Sequence, residues 1–334
     1  MEDTLRFGTR NTSRNVSNTY INIARSTPRV FGTMYRAGDL ISSDKRKSPV
    51  YWANTLYADK LEQYVLREGF DTILCPHLFP AEALTHLRRR HGLNVRCYGV
   101  ATDYTCTPFW EETDVDVFFI PHEDLRAEYE RKGFAPERLL ATGIPVSARF
   151  CATTPLAEAR ARLSLPPEGR VFLVMTGSMG FGEILDTVAA LLAPCDEHAR
   201  VLVMVGHNDR LRQAMAERFP GDGRAVAVPF TTEVPLYMDA CDVLLSKPGG
   251  LSSTEAAVKN VPLVHTAPIP GCETRNAAFF STRGMSVSAF GAAEAAQAAL
   301  ALAISPERRQ AMLQKQREYI NPRAAEEICR FILR

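Results

Sequence analysis

The chain has 334 residues, 46% of them hydrophobic and 23% charged, with a formal net charge of +1. That length suits two domains, each with its own core, better than one, and the near-neutral balance gives no general case for nucleic acid as a partner. The longest apolar runs, such as Val115 to Ile120 and Arg200 to Gly206, fall far short of the roughly 20 residues needed to cross a bilayer, so no transmembrane helix is expected.

The opening MEDTLRFGTRNTSR lacks an apolar stretch followed by a small-residue cleavage site, which points to a cytoplasmic location. Residues 1–60 carry ten Lys or Arg against five Asp or Glu, interleaved with Tyr20, Phe31, Tyr35, Tyr51, Trp52 and Tyr57. That mixture suits either the headgroup layer of an anionic membrane or a solvated basic face over core aromatics. From Asp71 onward, short β-rich runs alternate with helical patterns, the mark of parallel sheets built from βαβ units. Strands are expected near 71–75, 95–100, 115–120 and 139–143, with helices near 80–91 and 123–132. A Pro-rich stretch of small residues over 143–169 marks a hinge, and the boundary between domains 1–146 and 147–334 is placed there. Strands follow near 171–176, 201–206, 225–230, 242–246 and 262–266, each with a helix after it, and the pattern is purely helical after Pro306. The eight cysteines include no Cys-x-x-Cys pair, which favours reduced, mostly buried thiols over zinc or disulfides.

In open parallel sheets, ligands bind beyond the carboxyl ends of strands, and four loops there are unusual. TGSMGFGE (176–183) offers three glycines and the start of a helix to an anion. SKPGGLSSTEAA (246–257) leads two glycines into a helix carrying Ser252, Ser253, Thr254 and Glu255. Its free amides can hold a diphosphate and Glu255 can accept bonds from ribose hydroxyls; alternatively Ser252 or Ser253 simply caps the helix. PIPGCETRNAAFF (268–280) puts Glu273 and Asn276 on one helical face, suited to a hexose. In the first half, Asp103 and His77 follow strands and are candidates for a catalytic base facing the interdomain cleft, each with a helix-cap or turn role as the alternative. No metal-binding box is present in the sequence.

Taken together, TDYTCTPFW, ATGIPV, TGSMGFG, LLSKPGGLSSTEAA and PIPGCETRNAAFF resemble the bacterial and plastid diacylglycerol glycosyltransferases, the processive glucosyltransferases and monogalactosyldiacylglycerol synthases of glycosyltransferase family 28. The resemblance implies a GT-B fold: α/β, with two Rossmann-like, doubly wound domains facing a cleft. The first would face acceptor and membrane, and the second would bind the UDP-sugar. It implies inverting, metal-independent transfer of glucose or galactose from UDP-glucose or UDP-galactose to diacylglycerol, with no cofactor, peripherally on the inner face of the cell membrane. By match to the family motifs, Gly177 and Ser178 would meet the diphosphate, Gly249, Gly250 and Ser252 the phosphates, and Glu255 the ribose. Phe230 would lie beside uracil, and Glu273 with Asn276 would hold the sugar. Lys247, Pro248, Ser253 and Gly271 complete the donor loops, and Arg149 can reach the diphosphate. The chain departs from the family in opening after its first strand and Gly-x-Gly-His loop, and in having Thr107 for a histidine, Cys272 for a glutamine and Ser147 for an arginine. Transfer of N-acetylglucosamine to an undecaprenyl-linked peptidoglycan precursor and a non-catalytic UDP-sugar-binding role are the alternatives.

Overall fold

The structure is a computed structural model and describes residues 2–8, 38, 46–175 and 184–334. The expected absence of the family's first strand and loop, the aromatics Tyr20, Phe31 and Tyr35, and the loop 176–183 lie outside the described residues. The chain forms two compact units: Met1–Ile144 with Ile269–Cys272 and Glu326–Arg334, and Pro145–Pro268 with Glu273–Ala325. The crossing between Ile144 and Pro145 falls two residues before the expected one.

In the first unit, α1 (Pro49–Thr55) starts where the Ser48 hydroxyl accepts the Tyr51 amide and Pro49 fills the first helical position. Helix α2 (Ala58–Glu68) stops at Gly69, whose φ of +71° suits glycine. Neither helix was expected from the sequence. Strands β1 (Thr72–Cys75), β2 (Arg96–Val100), β3 (Val117–Ile120) and β4 (Leu139–Ala141) pair in parallel in chain order, with α3 (Leu78–Arg90) and the short α4 (Arg126–Arg131) connecting them. Gly99 of β2 has no room for a side chain, since a Cβ would collide with the Phe118 ring. Tyr51 and Tyr57 are buried in this unit, so of the described aromatics flanked by the basic segment only Trp52 stands out at the surface.

In the second unit come α5 (Ala148–Cys151), α6 (Leu156–Arg162), β5 (Val171–Met175), α7 (Ile184–Leu192), β6 (Arg200–Gly206), α8 (Asp209–Arg218), β7 (Ala225–Pro229), α9 (Val234–Ala240), β8 (Val243–Ser246), α10 (Gly250–Lys259), β9 (Leu263–His265), α11 (Cys272–Thr282), β10 (Val287–Ser288), α12 (Ala292–Ile304) and α13 (Pro306–Tyr319). The sheet order is β10-β9-β8-β5-β6-β7, all parallel. Chain order therefore reverses between β5 and β8, which is the switch point of a doubly wound sheet. Arg160 and Asp242 lock its base: the Asp242 carboxylate accepts the Arg160 guanidinium at 2.9 Å and the Val171 amide at 2.7 Å. Three more Arg160 donors reach the carbonyls of Pro167, Gly169 and Ala240, so four of the five N–H groups of this buried cation are bonded.

The last helix, α14 (Ala324–Ile332), packs on the first unit. Ile328, Phe331 and Ile332 pack on Tyr98, Val100 and Phe119, with the Phe331 ring 5.6 Å from Phe119 and 6.0 Å from Tyr98. Four of the eight cysteines are buried, fewer than expected, while Cys151 and Cys329 are exposed. Both tryptophans, Trp52 and Trp110, belong to the first unit, so their fluorescence follows its unfolding alone. Ile328→Ala should destabilise that unit by about 3 kcal/mol and move its urea midpoint down. An unchanged fluorescence midpoint would show that α14 is not part of this core.

Candidate functional site

The carboxyl ends of β5 and β8 meet at the switch point. Met175, the last residue of β5, pairs with Ser246, the last of β8. The expected anion loop, with Gly177 and Ser178, leaves from Met175 but lies outside the described residues. The second expected loop is fully described. The Gly249 amide donates to the Lys247 carbonyl at 2.8 Å, and the Ser246 hydroxyl donates to the same carbonyl at 3.1 Å, making a tight turn into α10. Gly249 occupies the N-cap with φ −69° and ψ 139°, and no side chain caps the helix. Ser253 is not the cap: its hydroxyl is buried against His265 Nε2 at 3.0 Å. Thr254 bonds back to the Gly250 carbonyl at 2.7 Å. The helix start thus keeps its positive end and its amide donors without side-chain neutralisation.

Gly249 identifies what this turn is shaped for. Its φ is one that any residue adopts, and a Cβ there would meet nothing within 4 Å. Among the described residues, neither backbone strain nor packing therefore calls for glycine, and none of them covers its backbone where an anion can approach closely. Lys247 and Ser252 are half-buried beside it. One turn further on, Glu255 is half-buried, no described residue hydrogen-bonds its carboxylate, and loss of water pushes its pKa up to about 7.

Phe230 stands just past β7, 62% exposed, and stacks on His207, which follows β6; the ring centroids are 4.6 Å apart and the planes 14° from parallel. An exposed flat aromatic face of this kind offers a platform to a planar base. Arg149 reaches the same corner, its guanidinium on the Thr232 carbonyl at 3.3 Å. Ser147 caps α5 through its hydroxyl, with the Arg149 amide at 3.5 Å. His207 was not anticipated, although it occupies the same place after its strand that Phe230 does after the next.

The third loop differs from expectation. Gly271 has a φ of +124°, which suits glycine. Glu273 is half-buried and has a partner. Asn276, expected to share a hexose with it, is fully buried and donates its Nδ2 to the Pro248 carbonyl at 3.0 Å. Asn276 therefore braces the α10 turn from behind.

In the first unit, His77 caps α3, its Nδ1 accepting the Phe79 amide at 3.3 Å. That bond leaves Nε2 as the protonated nitrogen when the ring is neutral, and desolvation lowers its pKa, slightly opposed by Asp3. Asp103 is half-buried in the bend after β2 and is not a free carboxylate. The loop after it is pinned by Glu128, which accepts from the Thr105 hydroxyl at 2.6 Å and the Cys106 amide at 2.9 Å. Sequence reasoning also missed Glu82, a fully buried carboxyl bonded to Asn54 at 2.5 Å, whose pKa burial drives up to about 8. Among the described residues, no group of three or more His, Cys, Asp or Glu could hold a metal, and no helix is long and apolar enough to cross a membrane.

Comparison with solved structures gives the class first. The chain superposes on MurG of Acinetobacter baumannii (TM-score 0.57, 14% identity, 84% of this chain and 77% of that one). It also superposes on UDP-GlcNAc 2-epimerase from Neisseria meningitidis bound to UDP-GlcNAc (0.61, 14%, 86% and 82%) and on Anabaena HepE in complex with UDP and glucose (0.56, 14%, 83% and 80%). The fold is thus the expected GT-B type with Rossmann-like domains. Residues 1–146 match the monogalactosyldiacylglycerol synthase family model and residues 171–312 that of the glycosyltransferase family 28 C-terminal domain, the two families that the motifs resemble. Curated relatives named processive diacylglycerol beta-glucosyltransferase include those of Staphylococcus saprophyticus (26% identical over 258 residues, 76% of this chain) and Bacillus subtilis (26% over 245, 73%). The matches span 64% and 63% of those relatives, under two thirds of their length.

If Gly249 serves an approaching ligand rather than the fold, Gly249→Ala should change unfolding free energy by no more than about 1 kcal/mol. A much larger loss in thermal or urea denaturation would return the glycine to a structural role.

Proposed function

We propose that the protein transfers a hexose, glucose or galactose, from a UDP-sugar to the free hydroxyl of diacylglycerol, inverting the anomeric centre without a metal ion or cofactor. The observation that carries this reading is the start of α10: an uncapped helix end at the switch point, a glycine that no described residue covers, and one turn in a carboxylate that no described residue hydrogen-bonds. Relatives that bind UDP share the fold, and the curated relatives act on diacylglycerol.

In this mechanism a base takes the proton of the acceptor hydroxyl as its oxygen attacks the anomeric carbon from the face opposite UDP. The bond from that carbon to the diphosphate oxygen breaks, and the negative charge left on UDP is stabilised by the amides and dipole of α10. Fixed donors aimed at a developing charge need no reorganisation, so they do the work a cation does elsewhere. Gly177, Ser178, Lys247 and Arg149 would complete the diphosphate site, Glu255 would hold the ribose, and Phe230 on His207 would carry the uracil. Glu273 would reach the sugar. Of the two base candidates, His77 has the suitable chemistry, being a neutral imidazole whose second nitrogen has no described partner. The acceptor would come from the anionic inner face of the membrane. Exposed Trp52 and Leu56 support this, four residues apart, with the Trp52 ring 6.5 Å from His86 on the helix that ends in Arg88, Arg89 and Arg90.

Incubation with UDP-glucose or UDP-galactose and vesicles containing diacylglycerol and an anionic phospholipid should yield a glycosyl diacylglycerol. Product only with an undecaprenyl-linked acceptor, or UDP binding with no turnover, would replace this reading. The site also predicts a pH dependence. Glu255 accepts ribose hydroxyls best when ionised, and its pKa in the free protein is about 7. UDP-glucose affinity should therefore rise from pH 5.5 to pH 8, by up to about tenfold per pH unit below 7. The doubly esterified diphosphate does not titrate in that range. Glu255→Gln should abolish the dependence in calorimetry; a wild-type affinity already flat across the range would remove Glu255 from the ribose.

A further inference from the structure

The turn that leads into α10 is gripped at both ends by buried polar side chains. On one side Asn276 holds the Pro248 carbonyl at 3.0 Å. On the other, the Ser253 hydroxyl is bonded to His265, which is 0% exposed at the end of β9. The second ring nitrogen of His265 is bonded as well, Nδ1 lying 3.1 Å from the Ser286 hydroxyl. The Phe280 ring meets the imidazole edge-on at 5.4 Å, and the His265 carbonyl accepts the Ala289 amide at 2.9 Å. Burial keeps the imidazole neutral, so one nitrogen donates and the other accepts, and each hydroxyl supplies the complementary role. The three amides of Gly250 to Ser252 lie between these two grips.

A histidine in a buried strand costs more than an apolar residue unless both nitrogens are satisfied. Here they are satisfied by two serines from different elements, one in the first turn of α10 and one just before β10. Only the Ser253 bond touches the helix whose end is open; the Ser286 bond ties two parts of the core together.

We propose that His265 is a positioning residue for the donor site: through Nε2 and Ser253 it fixes the first turn of α10, and with it the direction of the amides that meet a diphosphate. This rests on the reading of α10 as the diphosphate site. Pre-set donors bind without first being ordered, so losing the anchor weakens binding even when the fold survives.

The two nitrogens can be separated chemically. The amide of glutamine reaches about as far along the side chain as Nε2, and that of asparagine only as far as Nδ1. His265→Gln should therefore keep the Ser253 bond and His265→Asn the Ser286 bond, each variant losing one of two buried hydrogen bonds. Calorimetry with UDP, paired with thermal melts, should show His265→Asn binding about tenfold or more weakly and His265→Gln within about twofold of wild type, at similar melting temperatures. From the other side, Ser253→Ala should weaken UDP binding by a similar factor and Ser286→Ala should not. A purely structural histidine would move stability in both variants and affinity in neither. Equal affinities across the four variants, with wild type binding UDP, would overturn this inference alone; a wild type that does not bind UDP would overturn the donor site and the role of His265 together.

Discussion

The pairing of β5 with β8 governs the rest of the second unit. Because Met175 ends opposite Ser246, β5 and β8 finish together at the point where chain order reverses, the place where doubly wound sheets bind their ligands. Arg160 and Asp242 secure the other end of the same strand pair, so this end sits on a base that cannot slip in register without unpairing a buried charge. Everything the site does follows from α10 beginning at that point without a side-chain cap.

An uncapped helix start would be a defect in an ordinary helix. Here the polar residues that could have capped it are used elsewhere: Ser253 on His265, Thr254 on the Gly250 carbonyl. Asn276 holds the preceding turn in place. The result is a set of amide donors that is rigidly held yet has no side-chain partner, with a carboxylate one turn away whose pKa burial has raised. Such an arrangement favours a ligand that brings negative charge to the helix end and hydroxyl donors to Glu255, which a nucleoside diphosphate does at once.

Much of this was legible in the sequence. Five β-rich runs in the second half read as strands because buried parallel strands are continuous apolar stretches, and the glycine turns after them marked the ligand end. Other features had no local signature. Helices α1 and α2 lie in a segment whose composition fitted either a membrane-facing surface or a basic face over core aromatics, and only the structure shows Tyr51 and Tyr57 buried and Trp52 exposed. Strand β10 has two residues, too few to show a period. Spacing put Glu273 and Asn276 on one helical face but could not say that Asn276 turns inward to Pro248. His265 reads as one more residue of PLVHT; only a polar side chain at the end of a buried strand hints that partners must exist, and those partners are 12 and 21 residues away.

A structure of the protein with UDP bound would test the account most directly. Diphosphate oxygens should lie about 3 Å from the backbone nitrogens at the start of α10, among Gly250, Leu251 and Ser252, with the ribose hydroxyls on Glu255. A diphosphate held by side chains alone, with those amides facing solvent, would contradict it.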